Sequence, residues 1–185
     1  FVNARGMEGF TNALQFFGGH PIVAAGLLRT LLAMMGGQDI AQVAGGSSSA
    51  RSVVCNLPLS QKHQLRYGFL SLGGANGLKG ILELHSRSYA VSPVLAAAAT
   101  DLSGLKKQAL LDAEEAAAYA SAVVVRLACS LISTLAGDVQ GRQQLIGKGS
   151  HGGVITSVIG VVAAFHVRVA QRKAADNNAS GASSG

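Results

Sequence analysis

Apolar residues recur at i, i+3, i+4 and i+7 along most of the chain, and glycine or serine clusters interrupt them. The interruptions fall at Gly18-Gly19, Gly36-Gly37, Gly45 to Ser49, Gly73-Gly74, Gly137 and Gly149 to Gly153. That period places one apolar stripe on a helix, and the glycines end it. With no sustained strand alternation, the pattern predicts an all-α fold whose short connections pack neighbouring helices on each other. Helices are expected at 7–17, 21–35, 50–58, 62–71, 76–86, 91–102, 104–136 (with a break), 141–147 and 152–171. Taken alone, "SVVCNL" (52–57) also fits a short strand.

The 185 residues suffice for one domain with a core that needs no staples. Hydrophobic residues make up 49% and charged residues 13%, and the apolar surplus is small residues with no Trp. That balance suits closely packed helices. The net charge is +6, yet no run of Lys and Arg exceeds two, which argues against nucleic acid. Cys55 and Cys129 sit in apolar surroundings without C-x-x-C spacing, so buried reduced thiols of a cytoplasmic protein are expected. The start at Phe1 carries no signal segment and is expected to belong to a longer chain. Residues 1–172 form the expected helical segment, and 173–185, ending "NNASGASSG", a flexible polar tail or linker.

Two stretches invite other readings. Gly152 to Phe165 is uncharged over 14 residues, and a bilayer span needs about 20. Ala116 to Gly137 is longer but carries Arg126, which is costly in lipid. Buried helices are therefore expected, with a small membrane-associated helical protein as the alternative. "GKGS" at 147–150 resembles a phosphate loop, but Arg142 stands where the first Gly belongs and Gly149 where Ser or Thr should reach magnesium.

Catalytic and metal patterns are missing from the sequence. Lys79, Glu83 and His85 fall on one helix, and Lys79 and Glu83, spaced i, i+4, read as a solvated pair. Glu114 and Glu115 point about 100° apart on a helix and share no proton. The five histidines lack H-x-x-x-H spacing, and Ser47 to Ser49 lie in a Gly/Ser linker. No enzyme activity, cofactor, metal or small-molecule substrate is expected.

The remaining signal is internal repetition. "LRYGFLSLGGANGLKGILEL" places Gly73 seven residues after Arg66, then Gly77-Leu78. "GRQQLIGKGSHGGVITSVI" places Gly149 seven after Arg142, then Gly153-Val154, with no gap between the two copies. "ARGMEGFTNAL" supplies a partial third copy with Gly9-Phe10 in register. Upstream, Ala24/Thr30/Leu31, Ala50/Asn56/Leu57, Leu95/Asp101/Leu102 and Ala128/Thr134/Leu135 repeat a small or apolar residue, a polar group and Leu. Together these resemble armadillo repeats, over most of residues 1–170 and about three to four copies.

The resemblance implies an α-solenoid in which units bury their faces on each other. Arg142 to Lys148 would be a first helix, Gly152 to about Arg168 a second, and the helix ending Thr134-Leu135-Ala136 the third helix before them. The polar markers are spaced 26, 45 and 33 residues, where a regular array has about 40, so the array is irregular. In the family, a third-helix Asn pairs with an extended peptide. Here Thr30, Asn56, Asp101 and Thr134 hold that position. Gly26, Ser52, Ala97 and Ser130 stand where importin-like members carry Trp. The expected partner-binding ladder is Thr30, Asn56, Asp101 and Thr134 with Ser52 and Ser130. The expected function is a non-catalytic protein–protein scaffold or structural subunit, with a cytoskeletal or ciliary assembly as an example, and with protein rather than membrane or nucleic acid as partner.

Overall fold

The computed structural model describes residues 4–38, 55–87, 104–146 and 153–181. Among these, seven helices and no strand occur. They are α1 (Ala4–Phe17), α2 (Pro21–Met35), α3 (Leu59–Ser71), α4 (Gly74–Arg87), α5 (Gly104–Leu135), α6 (Val139–Ile146) and α7 (Val154–Gly181). The all-α reading holds. The expected helix at 91–102, with Asp101, and the marker Ser52 lie outside the described residues.

Local chemistry sets the helix ends. α2 starts on Pro21, whose missing N–H costs nothing in the first turn. It stops at Gly36, which takes a left-handed φ of 75°, while Gly37 N–H bonds Leu32 O at 2.8 Å. Gly73, at φ 84°, makes the corner between α3 and α4. Asp138 caps α6: its Oδ1 accepts the Gly141 N–H at 2.6 Å.

Three differences from the expected helices have physical causes. Residues 55–58, expected to be helical, are not. Pro58 biases Leu57 to extended backbone, and Leu57 N–H turns back to Cys55 O. The break expected within 104–136 does not occur, because no Gly or Pro lies between Gly104 and Gly137. α7 runs to Gly181, past residue 172 where a flexible tail is expected; the run "AQRKAA" favours helix.

The two most extensive helix interfaces are α2 on α5 and α4 on α7. α4 also packs on α5, α3 touches α6, and α1 touches α2, α3 and α4. The core at these contacts is mostly aliphatic. Leu28, Leu31 and Met35 of α2, Phe69 of α3, Leu78 and Leu82 of α4, and Val124, Leu127, Leu131 and Leu135 of α5 are fully buried. Leu78 and Val154, the residues after the aligned Gly77 and Gly153, are both buried.

The stretch Ala116–Leu135 of α5 is long and apolar enough to cross a membrane by length and composition. Of that stretch, 44% is buried inside the protein, on the side where α2 and α4 pack.

Candidate interaction surface

The surface begins with α2 and α5, the helices that hold Thr30, Ser130 and Thr134. Thr30 is exposed on α2, and its hydroxyl donates to Gly26 O at 2.9 Å within its own helix. Arg29 beside it is also exposed. On α5, Ser130 is buried and donates to Arg126 O at 3.0 Å; Thr134 is half-buried and donates to Ser130 O at 2.9 Å. These are i to i−4 bonds of the kind that small hydroxyl side chains make inside helices. Thr134 lies where a Cβ on Gly37 would overlap it, so α5 meets the end of α2 at that point. Asn56 is exposed but sits in the non-helical segment before α3. Thr30, Ser130 and Thr134 therefore lie on the α2–α5 pair, and Asn56 does not lie on a helix.

Two arginines hold helix ends in the same way. Arg66 of α3 donates Nη2–H to Met35 O at 2.7 Å and Nε–H to the same oxygen at 3.2 Å, at the last turn of α2. Lys62, one turn earlier, lays its side chain against Gly36. Both cations sit at the negative end of the α2 dipole. Arg142 of α6 donates Nη1–H to Ala136 O at 3.0 Å, just past the end of α5. The residues aligned in the sequence thus do one job twice: each closes the helix that precedes its own.

Removing Arg66 should register in stability. Arg66→Ala loses two bonds from a charged donor and is expected to cost about 1.5–3 kcal/mol, read as a lower urea midpoint at unchanged slope. Arg66→Lys keeps the charge but not the fork and should fall between.

His85 takes a different place from the charged pair on its helix. Lys79 and Glu83 form the expected i, i+4 pair at 3.8 Å, but His85 is buried. Its Nε2–H donates to Gly18 O at 2.8 Å. A carbonyl only accepts, which fixes Nε2 as the donor, and Nδ1 shares a hydrogen bond with Ser121 Oγ at 3.2 Å. One imidazole therefore joins the α1 corner, α4 and α5. The spacing Leu78, Ile81/Leu82, His85 already puts the ring on the buried stripe of α4.

Two recesses are open to solvent. One, about 380 Å³, lies between α1 and α4 beside Gln15, Gly18, Gly77, Gly80 and Leu84. The other, about 240 Å³, lies between α3 and α6 beside His63, Tyr67, Asp138 and Gln144. In the second, the Asp138 carboxylate serves as a helix cap. Burial pushes the Cys129 thiol up from its ordinary range. Among the described residues, no group of three His, Cys, Asp or Glu side chains could hold a metal ion.

No protein-family model, curated protein or solved structure matches the chain.

Proposed function

We infer that the chain is a non-catalytic protein–protein interaction scaffold, built as an irregular armadillo-like stack. The observation that carries the reading is the paired arginine closure: Arg66 on Met35 O and Arg142 on Ala136 O. It is accompanied by contact of each helix with its counterpart, α2 with α5, α3 with α6 and α4 with α7. Units that bury their faces on a neighbour are what the repeat reading requires. In this arrangement α1, α4 and α7 are second helices, α3 and α6 first helices, and α2 and α5 third helices that line the concave side. The free thiols of Cys55 and Cys129 suit a reducing intracellular setting.

The concave side offers a surface for an extended segment of a partner protein, with Arg29 and Thr30 exposed on α2. A pull-down from native extract with the full chain, run beside Arg29→Glu/Thr30→Ala, tests this. Both residues are exposed, so folding should be unaffected, and a defined partner should be weakened roughly tenfold or more by the variant. A partner held equally by both baits would move the contact to another face. A chain that stays in detergent and captures lipid alone would remove the scaffold reading in favour of a membrane-associated protein.

A further inference from the structure

Four helices, α2, α3, α5 and α6, meet at one corner. Gly37, just past α2, lies against the Thr134 side chain of α5. Arg66 of α3 spans the junction. Its Nη2 and Nε hold Met35 O, while Nη1 stands 4.0 Å from the place of a Cβ on Gly137, just past α5. Lys62 Nζ stands 3.2 Å from the place of a Cβ on Gly36. Arg142 of α6 holds Ala136 O, beside Gly137. Three cations therefore gather where α2 and α5 end, Lys62 and Arg66 half-buried and Arg142 exposed.

Their bonds to the helix ends leave most of their donors unused. Arg66 keeps both Nη1 hydrogens, Arg142 keeps Nε and Nη2, and the Lys62 ammonium donates to no described residue. None of the three is ion-paired with a described acid. Asp138, the acid next to Gly137, turns Oδ1 to the Gly141 N–H of its own helix. The ends of α2 and α5 each add about half a negative charge. With Asp138 that is still less than the three cations carry, so the corner stays positive. Partial burial shields this charge from salt. Gly36 and Gly137 are exposed and bare of side chains, so another chain can approach the cations closely.

We propose that this corner binds an acidic segment of a partner protein, whose carboxylates pair with Lys62, Arg66 and Arg142. Charge selects an anion, and the unused Nε–Nη2 edge of Arg142 has the fork that fits a carboxylate. Clustering selects among anions. A nucleic-acid strand is held by cations strung along its backbone, whereas these three sit at one junction. The proposal rests on the scaffold reading, which makes the occupant a protein and puts the corner at the edge of the concave side.

The test is a titration of the full isotope-labelled chain with hexaglutamate, read in amide NMR spectra, with hexaglutamine as the neutral control. Hexaglutamate should move the amides of Gly36, Gly37 and Gly137. It should leave Gly18 and Gly19 in place, about 20 Å away at the other end of α2. Hexaglutamine should move none. Lys62→Gln and Arg142→Gln should each weaken binding about threefold to tenfold. Arg87→Gln, which removes a charge near Gly19, should weaken it by less than about twofold. Lys62 caps no carbonyl, so Lys62→Gln should nearly keep the melting temperature and carries the test if Arg142→Gln fails to fold. Equal shifts with both peptides overturn the proposal. Equal weakening by Arg87→Gln does too, since it would mean diffuse attraction to the net charge. So does inorganic phosphate or hexathymidylate moving the same amides at lower concentration than hexaglutamate. The pull-down described above separates the two levels. A partner still weakened by Arg29→Glu/Thr30→Ala, beside amides that hexaglutamate leaves unmoved, ends the corner site alone. Hexaglutamate bound at the corner of a chain that captures no protein ends the scaffold reading, and the assignment of a protein occupant falls with it.

Discussion

His85→Leu should lower the melting temperature by about 6–12 °C, followed by circular dichroism at the helix band. The ring is 3% exposed and bonds two elements outside its own helix. Leucine matches its bulk but donates nothing, so the carbonyl of Gly18, a buried residue, loses its donor and Ser121 loses the ring nitrogen. Leaving such groups unsatisfied costs about 1–3 kcal/mol each, and for a chain of this length each kcal/mol moves the midpoint by about 2–4 °C. His85→Gln, which keeps an N–H of nearly the same reach, should lose less than half as much. Equal losses for Leu and Gln would mean that packing, not hydrogen bonding, is what the ring supplies.

The second large effect is expected at Gly141, the third residue of α6. A Cβ there would overlap the Leu135 carbonyl, and it would lie 3.1 Å from the Asp138 carboxylate that caps the helix. The obstacle is backbone, so no rotamer change relieves it. Gly141→Ala must open the α5–α6 corner, and overpacking of this sort costs about 1–3 kcal/mol or more. The opening also carries Arg142 away from Ala136 O. Gly80→Ala is the counterpart with the opposite sign. Gly80 lies inside α4 with nothing within 4 Å of its added methyl, so helix propensity alone should stabilise it by about 0.5–1 kcal/mol. Chemical denaturation of the two variants side by side reads both signs in one experiment.

Gly141 and Gly80 also illustrate what a sequence shows and hides. Both are glycines in helical stretches, and nothing in their neighbours says that one faces a carbonyl and the other open space. Glycines at helix ends are easier: the pairs at 18–19, 36–37 and 73–74 mark three corners, and Gly36 and Gly73 take positive φ at two of them. Helix content was legible because the period of 3.6 persists through α1, α2, α4 and α5. It failed at 55–58, where an apolar run hides Pro58, whose effect on the residue before it outweighs the pattern. The arginine alignment pointed to a shared position, while the shared task of closing the preceding helix needed coordinates, because each carbonyl lies on a different element from its arginine. The ladder was legible only in part. Hydroxyls at Thr30 and Thr134 follow the register, but their bonds to their own helices cannot be read from spacing. His85 carried a usable signal, three and seven residues from Leu82 and Leu78, that its charged neighbours Lys79 and Glu83 obscured.

The arginine closures have a consequence for how the chain comes apart. Met35 O has its donor on α3, and Ala136 O has its donor on α6. When α3 detaches, the last turn of α2 loses its cap at the same moment; when α6 detaches, so does the end of α5. Fraying is thereby shared across each boundary instead of being confined to one helix. The amide protons that report the opening of α3 should include those in the last turn of α2, a helix whose own sequence is unchanged by the event. A short, weakly anchored helix such as α6, with only Gly141 and Leu145 buried, then sets the local lifetime of the end of a helix 32 residues long.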